Sequence, residues 1–313
     1  MTTAFSLALA SVIALALNVT PVFAAQPSNP VMDPNFVILP NGKDLRTLST
    51  SNGKLVLKKG DGKTFTAALQ AKYLKIKNDS LTKKNTPVTW VLMDLDAHQI
   101  VAQSAEASRK QFGASVNKIF IAATLLDKTR GQLNSNQLHL MVKMLADSSN
   151  VARDEMAWNE IGGGNKTRGR QAIQNFTQRM GYLRTRAYGG YLGSLHGNEL
   201  SATETAEFLY DTYQGRYPGA EYVWKLMHTC RTGAGRARTY LPTSLIVGGK
   251  TGTYSGGTVD PETGRSTSVR VKHHTIIFNY DGREYALSIY ANTGLDETTA
   301  ILAGGLVREY IIR

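Results

Sequence analysis

Apolar residues crowd into Ile119-Phe120-Ile121-Ala122-Ala123-Thr124-Leu125-Leu126 and recur there at spacings of three and four, which predicts a helix buried over most of its girth. Upstream, Phe65, Ala68, Leu69, Tyr73 and Leu74 give helical spacing from Thr64 to about Ile76. Val88–Asp96 and Gln99–Ala102 then read as strands joined by a turn at Ala97-His98. Downstream, helical patterns cover Asn134–Asp147, Val151–Ile161 and about Arg170–Met180, the second of them closed by Gly162-Gly163-Gly164. Tyr182–Asn198, rich in Gly and Tyr, predicts a long loop. Ser201 with Glu204 predicts a capping box that opens a helix through Tyr210, and Glu221–His228 a further short helix. Leu245–Thr253 turns from helix to strand and is followed by a polar loop to about Ser266. The strands Val269–Tyr280 and Arg283–Ala291 are joined by Asp281-Gly282, a strong hairpin signal, and a helix from about Glu297 to Ile311 closes the chain. One helix and two strands, a block of helices, then three strands and a helix predict an α/β (α+β) fold. Its antiparallel sheet is flanked by helices, and an all-helical lobe of about 112–243 is inserted between sheet segments 63–111 and 244–313.

Residues 26–62 are rich in Asn, Pro, Gly, Lys and Ser, with short apolar islands at Phe36–Leu39 and Leu55–Leu57, and read as an extension or linker compatible with a hairpin. Before them, an apolar run from about Phe5 to Leu17 and the small residues after Val22-Phe23 fit a cleaved signal peptide over residues 1–25, although its n-region has no Lys or Arg. No later segment is long or apolar enough to span a bilayer, so no stable membrane span is expected after cleavage. Cys230 is the only cysteine, which excludes an intrachain disulfide and a thiolate metal cluster; export without disulfides points to a bacterial periplasm or cell surface. Of the 313 residues 42% are hydrophobic and 19% charged, ordinary globular values, and the chain is long enough for a full-sized core. The net charge of +12 is spread without a basic block or aromatic interleaving. It suits polyanionic surroundings such as cell-wall polymers or an anionic membrane surface, and it does not support a nucleic-acid partner.

Chemistry concentrates around the buried helix. Ser115 stands at its first turn with Lys118 one turn later on the same face. A serine alcohol needs a base to take its proton, and a lysine held dry beside other cations can have its pKa lowered enough to serve. Two further elements matter with it: Ser148-Ser149-Asn150 between helices, and Lys250-Thr251-Gly252 on a strand. S-x-x-K, S-x-N and K-T-G in this order and these settings resemble the serine β-lactamase and penicillin-binding protein (D,D-peptidase) superfamily, most closely its class A β-lactamase-like branch. The resemblance covers about residues 63–313, including the Ile161-Gly162-Gly163 turn and the Asn292-Thr293-Gly294 turn before the last helix.

The resemblance implies that Ser115 attacks a carbonyl, Lys118 takes its proton, Ser148 relays a proton to the leaving nitrogen, and Asn150 orients Lys118 and the substrate amide. It implies that Lys250 and Thr251 hold the substrate carboxylate, that Gly252 allows a close backbone approach, and that the N–H groups of Ser115 and Thr253 form the oxyanion hole. A cation from Arg270, Lys272 or His274 is expected to help with the carboxylate. No cofactor is implied, and His273-His274 is expected to meet solvent or substrate and not zinc. The chain departs from the β-lactamases chiefly in two ways, with Ser149 in place of an aspartate in the second motif as a smaller third. Tyr182–Asn198 contains no Asp or Glu where a glutamate would activate the deacylating water, and Glu199 is expected to close the loop by pairing with Arg184 or Arg186. The segment between Ser115 and Ser148 is also short, which suits a more open cleft. The expected activity is therefore that of an exported serine acyl-enzyme hydrolase or peptidase acting on cell-wall D-alanyl peptides and acylated by β-lactams. The alternatives are a class A-like β-lactamase and a non-turnover β-lactam or peptidoglycan sensor.

Overall fold

The computed structural model describes residue 33, residues 35–187 and residues 198–312; the signal-peptide reading of 1–25 and most of the acid-free loop lie outside the described residues. In chain order the elements are β1 (Ser49–Thr50), β2 (Gly53–Lys54), α1 (Ala67–Thr82), β3 (Val88–Asp94), β4 (Gln99–Gln103), β5 (Gln111–Phe112), a 3₁₀ turn (Ala114–Asn117) and α2 (Lys118–Thr129). After them come α3 (Ser135–Ala146), α4 (Asn150–Glu155), a π-helical turn (Met156–Ile161), α5 (Lys166–Arg179), β6 (Glu199–Leu200), α6 (Ala202–Tyr213) and α7 (Ala220–Met227). The chain returns to the sheet with β7 (Val247–Val259), β8 (Ser266–Tyr280) and β9 (Arg283–Ala291), and ends in α8 (Asp296–Tyr310).

Five strands pair antiparallel in the order β4-β3-β9-β8-β7. Every residue of the inner strand β3 is buried, and its side chains divide by the period of two between two cores. Val88, Trp90 and Leu92 pack with Tyr73, Leu302 and Leu306 on the α1–α8 face, whereas Val91 and Met93 pack with the helical lobe. Asp281 and Gly282, both at positive φ, make the β8–β9 turn as expected of this dipeptide. Helix α2 is buried at every position from Lys118 to Leu126, so the apolar octapeptide forms the spine of the lobe.

Three sequence readings are corrected. The β7–β8 hairpin is longer than its apolar pattern, because the ladder continues through exposed residues to Val259 opposite Ser266. Ser201 does cap α6, accepting from the Glu204 amide, but the Glu204 carboxylate leaves the helix to accept from Arg184 N–H and Thr185 Oγ1, so the reciprocal half of the box is not made. Residues 35–62 are not a linker: Phe36, Leu39, Leu45 and Leu55 are buried in the lobe's core. From Lys58 to Lys63 the backbone zips along residues 228–247, with Lys58 N–H on His228 O, the Val247 amide on Lys58 O and the Asp61 amide on Arg238 O. This zipper covers the start of edge strand β7. No helix of the described residues is long and apolar enough to cross a membrane.

Candidate active site

The 3₁₀ turn that carries Ser115 sits on the seam between sheet and lobe. Ala114 just before it has φ +46°, a left-handed conformation that its Cβ disfavours. Asn198 holds it there: its Nδ2 donates to Ala114 O at 2.9 Å and its carbonyl accepts from Gly113 N–H at 2.7 Å. Gly252 of β7 lies against this turn, and a Cβ on it would stand 2.9 Å from Gly113 O and 3.2 Å from Val116 Cγ2. The glycine thus lets β7 approach the serine turn closely.

The three motifs meet around two fully buried amines. Lys118 Nζ lies 3.1 Å from Ser115 Oγ, 2.8 Å from Asn150 Oδ1, 2.5 Å from Ser148 O and 3.3 Å from Ser148 Oγ. Ser148, at φ +59°, turns both its carbonyl and its hydroxyl toward this lysine. Ser149 caps α4 by accepting from Ala152 N–H, which sets Asn150 in the first turn facing Lys118. From the opposite side Lys250 Nζ donates to Ser148 Oγ at 2.8 Å and to Thr251 O at 3.1 Å. Burial pulls Lys118 down to about 6, with the neighbouring charges of Lys250 and Arg153 acting the same way. Burial also lowers Lys250 to about 8; Cys230 opposes the shift and Arg236 adds to it.

These positions define a proton path. At neutral pH Lys118 is mostly an uncharged amine with two N–H groups and one lone pair. Ser148 O and Asn150 Oδ1 can only accept, so they take the two N–H groups. The lone pair is left for the Ser115 hydroxyl, which donates to it. The mostly charged Lys250 donates to Ser148 Oγ, whose own proton is thereby free to point elsewhere. A serine alcohol with a neutral amine as base, linked through a second hydroxyl to a cation, can carry out acyl transfer.

Arg236, which the sequence pattern does not reveal, supplies the guanidinium beside β7. It is buried, with Nη2 on Thr253 Oγ1, Nη1 on Gly252 O at 3.2 Å and His273 O at 3.0 Å, and Nε on Asp296. The expected strand cations behave differently. Arg270 is exposed opposite Ser255, and Lys272 pairs with Asp296 at 3.5 Å. His274 is buried and held well below the usual histidine range, first by burial and then by Arg236, Arg238 and Lys250; it is neutral and accepts from Ala237 N–H. His273 is also buried, bonded to Phe112 O and Ala291 N–H, and burial lowers it to about 3. The expectation that this pair meets solvent or substrate fails because the sheet is covered on both faces where they stand. Thr232, next to Cys230-Arg231, hydrogen-bonds through its hydroxyl to that of Thr251. Glu199 pairs with Lys110 at 3.4 Å and Arg186 at 3.8 Å, while Arg184 turns to Glu262.

An activated serine on the seam of an antiparallel sheet and a helical lobe is the arrangement of a serine hydrolase. Residues 132–306 match the model of the beta-lactamase enzyme family, and the chain belongs to that family. The matched span holds the second and third motifs and begins after Ser115-Val116-Asn117-Lys118. The fold is that of class A β-lactamases. A β-lactamase from Xanthomonas campestris superposes with a TM-score of 0.60 at 16% identity, covering 78% of this chain and 97% of its own. One from Burkholderia vietnamiensis gives 0.58 at 15%, covering 78% and 96%. One from Streptosporangium roseum gives 0.58 at 14%, covering 78% and 98%. Among curated proteins none matches the chain.

Proposed function

We propose that Ser115 is the nucleophile of an exported hydrolase that cleaves D-alanyl peptides of the bacterial cell wall and is acylated by β-lactams. The observation that carries this reading is the amine of Lys118, dry and mostly neutral, 3.1 Å from Ser115 Oγ and joined through Ser148 to Lys250. Ser115 Oγ bonds to the scissile carbonyl carbon as its proton passes to Lys118. The N–H groups of Ser115 and Thr253 receive the developing oxyanion. Ser148 then gives its proton to the leaving nitrogen and is reprotonated from Lys118, the C–N bond breaks, and an ester remains on Ser115. Water hydrolyses the ester and the serine recovers its proton. Lys250, Thr251 and Thr253, with Arg236 behind them, receive the substrate carboxylate; Asn150 holds Lys118 and the substrate amide. Residues 1–25 act as the export signal.

The acid-free run Tyr182–Asn198 and the short segment before Ser148 favour a peptidase over a β-lactamase. Glu199, paired with Lys110 and Arg186, serves to close the loop. Intact mass after incubation with a penicillin, followed over time, together with D-alanine release from a peptide ending in D-Ala-D-Ala, tests the reading. A long-lived adduct and released D-alanine are expected. Rapid drug hydrolysis makes the protein a β-lactamase, a stable adduct without D-alanine release makes it a sensor, and no adduct overturns the assignment.

A further inference from the structure

Residues 35–62 lie outside the span that matches the family, yet their hairpin ends beside the second motif. Arg231 is the link. Its Nη1 donates to Asp147 Oδ1 at 2.6 Å and to Thr50 Oγ1 at 2.7 Å, and its Nη2 donates to the carbonyls of Gly53 and Lys54. The Arg231 and Asp147 side chains are only 16% and 9% exposed, so the pair is largely shielded from solvent. Burial alone would raise Asp147, but bonds from Thr50, Arg231 and Asn52 outweigh it and hold the carboxyl below its usual value. The Arg231 amide also donates to Ala146 O at 2.8 Å.

Both ends of this link lead to the proposed machinery, Asp147 directly and Arg231 through Thr232. Asp147 precedes Ser148, whose left-handed backbone presents two oxygens to Lys118. Arg231 precedes Thr232, whose hydroxyl meets that of Thr251 beside Lys250. A left-handed serine is disfavoured by its own Cβ and persists only where its surroundings hold it. We infer that Arg231, capped by the β1–β2 hairpin, is a positioning residue that ties the Ser148 turn to the Lys250-Thr251-Gly252 strand and so keeps Ser148 Oγ between the two amines. The N-terminal segment is thereby part of the catalytic unit. The inference rests on the acyl-transfer reading above for its kinetic consequence but not for its geometry.

The test uses Arg231→Gln, Arg231→Lys and Thr50→Val in the full chain. Acylation by a fluorescent penicillin is separated into an affinity and a maximal rate, and hydrogen exchange is followed over residues 146–151. Arg231→Gln is expected to lower the maximal rate at least tenfold, with affinity changed less than threefold, and to speed exchange over 146–151. Arg231→Lys should recover only part of the rate, because one ammonium cannot serve acceptors on both sides of a planar fork. Thr50→Val, which removes one hydroxyl, should fall between wild type and Arg231→Gln, and it carries the test if that variant does not fold. A lower melting temperature with unchanged rate and exchange would overturn the inference, as would a loss confined to affinity. If the wild type takes no penicillin label, the acyl-transfer reading fails by itself; exchange over 146–151 then decides the tie, faster exchange supporting it and unchanged exchange overturning it.

Discussion

Replacing Lys250 by Met should change how the acylation rate depends on pH, in a direction that the site geometry fixes. In the wild type the base Lys118 must be neutral and Lys250 charged, so acylation should rise with pH through about 6 and fall again through about 8. The two amines share Ser148 Oγ, at 3.3 and 2.8 Å, so their nitrogens are separated by no more than about 6 Å. Two positive charges at that distance repel by about 3 kcal/mol at an effective dielectric constant of about 20, which corresponds to about two pH units. Removing the Lys250 charge relieves that repulsion while leaving Lys118 buried. Its pKa should therefore rise but stay below the ordinary lysine value. The assay is the second-order rate constant for acylation by a chromogenic cephalosporin, measured across pH for both proteins. In Lys250→Met the acid limb should move upward by one to two units and the basic limb should disappear, whatever the loss in affinity. An acid limb that stays in place would refute the idea that Lys118 is the titrating base held down by its neighbour.

Other outcomes test separate links. Ser115→Ala should abolish covalent labelling by a fluorescent penicillin without lowering the melting temperature; labelling that survives would remove Ser115 as nucleophile. Lys118→Ala should slow acylation at saturating substrate, whereas Lys250→Ala should act mainly through affinity, and the opposite split would exchange their proposed roles. With a chromogenic cephalosporin, a burst equal to the enzyme concentration and then slow turnover are expected, because absent general-base help is worth a factor of roughly a hundred to ten thousand; fast turnover without a burst would contradict this. Gly252→Ala should cost about 1–3 kcal/mol in denaturant unfolding, because its Cβ would stand 2.9 Å from the Gly113 carbonyl. Unchanged stability would mean that the serine turn can yield there.

Sequence patterns reached the elements whose neighbours are regular. The sheet strands and the buried α2 announced themselves by period, and the three motifs fell at a helix start, an interhelical turn and a strand, where short tripeptides carry most meaning. Phe36, Leu39, Leu45 and Leu55 escaped because their spacing follows neither a helix nor a strand; each is buried by a turn of the backbone that only the rest of the molecule fixes. Arg236 escaped because it lies in an irregular run, Thr232–Thr239, where an arginine has no face to be read from. His273 and His274 escaped because adjacent residues on a strand point to opposite faces, and β8 is covered on both faces there only through its place between β9 and β7, which its own sequence does not announce.

The order of strands in the sheet also governs when the protein can fold. β3 is complete only when β9 lies beside it, α1 packs on α8, and Lys58–Lys63 must find residues 228–247. The first third of the chain therefore has few lasting partners until nearly all of it has been synthesised. Long-range pairings of this kind slow folding, since loops of well over a hundred residues must close before any contact rewards them. A chain that stays open until its last helix emerges must remain unfolded without aggregating for nearly the whole of its synthesis. Its vulnerable feature in that interval is the edge of β7, which still lacks the N-terminal segment that later covers its start.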